Sequence, residues 1–165
     1  MQRNITVILI ALFSSIVTFT GCRNTPSSTS ADTLNPRRLT SGQAPRFCLP
    51  DALTGIPIST DTIIGNGRPT QLLFFSSSCS HCKNELKHLQ HLADSVGSSV
   101  NILCVALDRD SASLRHYLRA RHISLRVLTD YSGWQQRATV EYGVDRLPLL
   151  FHISPEGEIV TLAKE

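Results

Sequence analysis

One junction constrains this chain more than any other feature. Residues 71–75 form a short apolar run, three serines follow, and Cys79-Ser80-His81-Cys82 then opens a stretch of helical periodicity. A continuous apolar run of that length predicts a strand buried on both faces. Cys82, Leu86, Leu89, Leu92 and Ala93 fall near one stripe and predict a helix over 79–96, with Gly97 as its stop. Two thiols therefore stand in the first turn of a helix entered directly from a buried strand. Unpaired N–H groups and the positive end of the helix dipole stabilise an anion there. The thiolate is the nucleophilic form of cysteine. A second thiol three residues on lies almost beneath the first and can close a disulfide with it, which is the chemistry of thiol–disulfide exchange.

The rest of the chain alternates. Residues 101–107 read as a second buried strand and 108–122 as a second helix, with Asp108 or Asp110 as its N-cap. A third strand over 126–129, a third helix over 133–142 ended by Gly143, and a fourth strand over 147–153 follow. Ser154-Pro155-Glu156-Gly157 is a turn signal before a returning strand over 158–162. Ahead of all these, 45–51 and 56–58 read as a hairpin around Thr54-Gly55. The pattern implies an α/β fold, a mixed central sheet flanked by helices, with an N-terminal β-hairpin. At 165 residues and 41% hydrophobic, the chain supports one domain with a real core. Trp134 and Tyr142 fit core positions on the third helix. Arg115, Arg119 and His122 share one face of the second helix, with Arg121 and Arg126 nearby. That face reads as solvated, or as a weak attraction for anionic lipid or an acidic partner. A net charge of +3 says little about partners, and nothing in the sequence resembles a nucleic-acid site, so no nucleic-acid partner is expected.

The first residues belong to no fold. Met1-Gln2-Arg3-Asn4 is a short positive region, and 5–19 is almost wholly apolar, as in a signal peptide. Phe19-Thr20-Gly21-Cys22 resembles the lipobox of bacterial lipoproteins, with Phe19 in place of the usual Leu. That resemblance implies lipidation at Cys22; an uncleaved membrane anchor is the alternative. Residues 23–44 are rich in Ser, Thr, Asn and Pro and cannot bury enough surface to fold. A coil of that length spans roughly 25 Å. The expected organisation is a signal peptide over 1–21, lipidated cysteine and tether over 22–44, and a domain over 45–165. The domain is expected in the cell envelope, lipid-anchored and facing the periplasm or exterior, where disulfides form.

The strand, Cys79-Ser80-His81-Cys82, the later Gly143-Val144-Asp145-Arg146-Leu147-Pro148 and the Ser154–Gly157 turn together resemble the thioredoxin fold. The nearest match is the membrane-attached TlpA/ResA-like thiol–disulfide oxidoreductases, over residues 45–165. The resemblance implies that Cys79 attacks a substrate disulfide and Cys82 resolves the mixed disulfide. It places Pro148 as a cis-proline facing the pair, where exposed backbone pairs with a peptide. It places Glu85 as an acid that helps take the proton from the second thiol. It implies no cofactor, exported proteins as disulfide or dithiol substrates, and an envelope partner that exchanges electrons with the pair. Ser78 stands where relatives carry Trp, His81 where they often carry Pro, and no proline kinks 86–88. The final helix of the fold is expected to be absent after Glu165.

His81 has two readings. A ring between the thiols can hold positive charge, stabilise the Cys79 thiolate and make the pair more oxidising; otherwise it is an exposed side chain without influence. The family implies a reductase, whereas His81 pushes toward an oxidant or isomerase. Three rivals compete for the same cysteines. A zinc site of Cys79, Cys82, His88 and His91 fails on helical geometry, since His88 lies about 120° and His91 about 180° around the helix from Cys82. No metal is expected. A peroxiredoxin needs proline where Leu72 stands and leaves Cys82 redundant. A non-catalytic tethered binding module would keep Cys79–Cys82 as a structural bond, but so small a loop constrains little of the unfolded chain. Cys48 and Cys104 are expected to be inert thiols, with a bond between them as the alternative.

Overall fold

The computed structural model describes residues 39–162. The expected signal segment, Cys22, most of the tether and the region after Leu162 lie outside the described residues. Strand β4 (Thr70–Phe75) is the centre of the sheet: Leu72, Leu73, Phe74 and Phe75 are all fully buried, alternately on its two faces. It pairs in parallel with β5 (Asn101–Ala106), which pairs in parallel with β6 (Arg126–Leu128). On its other side it pairs antiparallel with β7 (Leu149–Ile153), which pairs antiparallel with β8 (Glu158–Leu162). With the two-residue β1 (Gly42–Gln43) on β8, the six-stranded order is β1-β8-β7-β4-β5-β6.

The helices cover the two faces. On one, α1 (Ser80–Val96) buries Cys82, Leu86 and Leu89, and α2 (Ser111–Ala120) buries Leu114 and Leu118. These pack with Leu73, Phe75, Cys104, Ala106 and Leu150. On the other face, α3 (Arg137–Glu141) and the chain around it cover an aromatic group of Phe47, Phe74, Tyr142 and Phe151, with centroids 5.0–6.0 Å apart. Such pairs add about 0.5–1.5 kcal/mol each beyond area burial. The buried Tyr142 hydroxyl donates to Pro45 O at 3.0 Å, and burial pushes its pKa well up.

The expected hairpin forms a separate two-stranded sheet of β2 (Cys48–Pro50) and β3 (Pro57–Ser59). It lies against the β6 edge: Ala52 N donates to Val127 O and Thr129 N to Pro50 O. That contact covers backbone groups an open edge would expose. Thr60 anchors it, its fully buried Oγ1 accepting from Phe47 N at 2.9 Å and donating to Phe47 O at 3.0 Å.

Four expectations need correction. Folded structure begins before residue 45. Gly42 and Gln43 pair with Ile159 and Glu158, and Ala44 is buried, because an edge strand is held by backbone bonds that composition does not reveal. The third helix is not continuous. A 3₁₀ turn over Gly133–Gln135 gives way to α3 at Gln136, whose extended backbone (φ −55°, ψ 138°) breaks the run. Its amide donates to Ala106 O at 2.7 Å and to Gly133 O at 3.2 Å. Trp134, on that turn and off any helical stripe, is 46% exposed and not core. Cys48 is disulfide-bonded and not a free thiol. Phe47 and Leu49 on either side are buried, so strand alternation turns Cys48 away from the core. Cys104 is free and buried.

Candidate redox site

The site forms where β4 ends. Phe75 closes the strand and accepts from Leu107 N at 2.8 Å, holding the ends of β4 and β5 together. The chain then turns through Ser76, Ser77 and Ser78. Cys79 N donates to Ser76 O at 3.1 Å, and the Ser76 and Ser78 hydroxyls lie 2.9 Å apart. Asp108, directly beyond β5, grips the middle of this loop. Ser77 N donates to its Oδ2 at 3.1 Å and Oδ1 at 3.3 Å, and Ser77 Oγ donates to Oδ1 at 2.5 Å. Asp110, the other candidate, is the α2 cap and accepts from Ala112 N and Ser113 N. Those bonds hold its carboxyl below the usual range, the Ser113 hydroxyl contributing most.

Cys79 is itself the N-cap of α1. Its sulfur accepts from Cys82 N at 3.2 Å. Cys79 and Cys82 are disulfide-bonded, with Cα atoms 5.3 Å apart, inside the usual range of roughly 4.4–6.8 Å. The two sulfurs differ in access: Cys79 is half-buried, whereas Cys82 is fully buried against Leu86 and Phe75. The only free cysteine among the described residues, Cys104, lies beneath the same cluster, and burial pushes its thiol up to about 12.

The other expected residues surround this pair unevenly. The Leu147–Pro148 peptide is cis and directly precedes β7. Leu147 packs on the same apolar cluster that supports Cys79, so both flank one end of the sheet. His81 is exposed in the first turn of α1. Glu85 lies one turn beyond Cys82, and its charge acts on His152 of β7. Burial lowers the pKa of that ring, and the Glu85 carboxylate partly opposes the shift. His88 and His91 are exposed on α1, away from the buried Cys82.

Sequence reasoning missed Asp108 as the residue that fixes the cysteine loop, reading it only as a helix cap. Its signal was available, because a carboxylate at the end of a strand parallel to β4 sits level with the loop that follows β4. His152 was also missed. Leu150 and His152 alternate toward the α1 face of β7, which brings the ring toward Glu85.

A family model described as the AhpC/TSA family matches residues 40–162. No curated protein matches the chain. Solved structures with the same fold include a thiol-disulfide oxidoreductase from Bacteroides fragilis, at 22% identity and TM-score 0.67, covering 75% of this chain and 91% of that one. The thioredoxin domain of a thiol-disulfide oxidoreductase from Bacteroides vulgatus aligns at 19% identity and TM-score 0.68, covering 78% and 91%. StoA from Bacillus subtilis aligns at 24% identity and TM-score 0.59, covering 73% and 87%.

Proposed function

The chain belongs to the AhpC/TSA family and has the thioredoxin-like fold, and on that premise we propose that it is a thiol–disulfide oxidoreductase of the TlpA/ResA-like branch. One observation carries the reading: the half-exposed Cys79 sulfur caps α1 and receives the Cys82 N–H. On reduction the same N–H and the helix dipole favour a thiolate at that sulfur.

The exchange runs as follows in the reducing direction. The Cys79 thiolate attacks one sulfur of a substrate disulfide. The substrate S–S bond breaks, a Cys79–substrate bond forms, and the released substrate thiolate takes up a proton. The Cys82 thiol then loses its proton and attacks Cys79, forming the intramolecular disulfide and releasing the second substrate thiol. Two electrons pass to the substrate, so a dithiol partner must return them before another turnover. The buried Cys82 is protected from external disulfides and is reached only by Cys79, which fits a resolving role. Glu85 is the group assigned to receive the Cys82 proton, Pro148 the wall of the substrate groove, and His81 the ring between the two cysteines that tunes the pair.

The family resemblance favours a reductase of exported proteins, lipid-anchored at Cys22 and facing the periplasm or exterior. Two measurements test this. A Cys82→Ser variant should accumulate mixed disulfides through Cys79; equal trapping by Cys79→Ser would reverse the roles. The Cys79–Cys82 potential against glutathione sets the direction: a value near thioredoxin's, about −270 mV, supports a reductase, and one near DsbA's, about −120 mV, overturns it. Reduction of a disulfide without consumption of peroxide separates this activity from a peroxidase. A thioether at Cys22 leaves that sulfur unable to join any disulfide, so the mass of the mature membrane-fraction protein tests the anchor.

A further inference from the structure

The exchange chemistry leaves unused a groove of about 320 Å³ between α1 and α2. Lys83, Lys87 and His91 form its α1 wall, and Arg121, capping the end of α2, stands on the other. Tyr117 and Ile123, half-buried on the core cluster, give it an apolar base. Gln90 ties α1 to the chain beyond α2: its amide donates to Ser124 Oγ at 2.6 Å, and Ser124 N donates to its Oε1 at 3.0 Å. Among the described residues Lys83, Lys87 and Arg121 make no ion pair, unlike Arg137, which pairs with Glu141 on α3. Two carboxylates stand near the lining, and both are already engaged: Asp94 accepts from Gln90 at 3.2 Å, and Asp108, whose charge acts on Tyr117, accepts from Ser77. Lys83 lies four residues, about one helical turn, beyond Cys79, so the groove runs along α1 away from the end that carries the dithiol.

We propose that this groove docks an acidic, extended segment of the protein with which the dithiol exchanges disulfides. The proposal deepens the function above and rests on it for the identity of the partner. Its geometry is independent of that reading. Cations four apart on a helix recur about every 6 Å, and side chains on one side of an extended peptide recur about every 6.8 Å. Alternate Glu or Asp residues of an extended segment therefore meet Lys83 and Lys87 in sequence, with a ring N–H of His91 as a further donor on the same wall, while Arg121 closes from the opposite wall. The intervening side chains lie on Tyr117 and Ile123. A concave site with cations on both walls and an apolar base fits a peptide. A membrane surface is flat and reaches only the outer rims. Docking here steers the partner to the redox pair and fixes the register in which its disulfide arrives.

The test uses two synthetic peptides with the same internal disulfide, one extended by alternating glutamates and the other by glutamines at those positions. Reduced full-length protein should reduce the glutamate peptide about tenfold faster at low ionic strength. That ratio should collapse toward one at about 1 M salt, where screening is short-ranged. In Lys87→Glu/Arg121→Glu, whose altered side chains are both exposed, the ratio should fall to one or below. Equal rates in the parent protein, or a ratio that survives the double substitution, overturns the proposal. So does substitution-sensitive binding to phosphatidylglycerol–phosphatidylcholine vesicles without any peptide preference, which assigns the patch to a membrane. If neither peptide is reduced, the dithiol reading has failed. The groove is then judged by fluorescence anisotropy with a labelled, cysteine-free glutamate peptide. Salt-sensitive binding lost in the double variant supports it, and no binding overturns it.

Discussion

Replacing Asp108 removes the acceptor that holds the loop carrying Cys79. Two donors of Ser77 converge on this one carboxylate: N at 3.1 and 3.3 Å from its oxygens, and Oγ at 2.5 Å. Hydrogen bonds to charged groups contribute about 1.5–3 kcal/mol each when buried. These are only partly buried, so the lower end applies, and Asp108→Ala should cost about 2–3 kcal/mol. Asp108→Asn keeps one carbonyl oxygen but turns an NH₂ toward a donor, and should cost about 1–2 kcal/mol. Urea unfolding of the oxidised protein measures both, with an unchanged slope if only stability moves. A double-mutant cycle with Ser77→Ala should return a coupling of about 1 kcal/mol. Disulfide exchange by the reduced variants should also slow, because the loop no longer fixes where Cys79 presents its sulfur. A loss below about 0.5 kcal/mol for Asp108→Ala, or a coupling near zero, would refute the claim that this carboxylate organises the loop.

Gly157 sits at φ +93°, and a Cβ there would meet Arg46 Nη2 at 2.7 Å. Gly157→Ala should cost about 1–3 kcal/mol in urea unfolding, and a neutral result would mean the turn relaxes freely. Thr60→Val strips both bonds to the Phe47 backbone and should cost a similar amount, about 1–3 kcal/mol, by the same measurement. Cys104, its thiol raised to about 12 by burial, should resist iodoacetamide at pH 8 in the reduced native protein and react once unfolded. Peptide mass mapping checks this, and native labelling at the pace of a free thiol would contradict it. His152 binds protons less readily folded than unfolded because burial outweighs Glu85. Its contribution to stability is therefore complete above the ordinary histidine value of 6.5 and is lost as pH falls through the lower folded pKa. His152→Gln should flatten that part of the stability–pH curve, and an unchanged curve would show that another group governs it.

The buried strands were legible because continuous apolar runs leave no alternative burial pattern, and α1 was legible because its stripe and its Gly97 stop agree. Only its first residue moved, from Cys79 to Ser80, with Cys79 becoming the cap. Strand β1 was not legible, since two residues bonded through their backbone leave no side-chain signature. The break at Gln136 was hidden for another reason. A glutamine reads as a helix former, yet its amide is taken by Ala106 O across the sheet, so a tertiary bond overrides local propensity. The cysteine pair and its place at a helix start came from the sequence directly. The support beneath it did not: Asp108 and Ser77 lie 31 residues apart, and only the parallel pairing of β4 with β5 brings them together.

Because the Cys79 sulfur also caps α1, no substitution at that position tests chemistry alone unless it preserves the cap. Serine is among the preferred N-cap residues, whereas alanine forfeits about 1 kcal/mol of helix stability. Cys79→Ser therefore deletes the nucleophile from an intact scaffold, and Cys79→Ala deletes it while fraying the turn that shelters Cys82. A comparison of the two separates what the helix owes to a sulfur atom from what the reaction owes to it. Any variant series that relies on alanine here will credit to catalysis a loss that belongs to architecture.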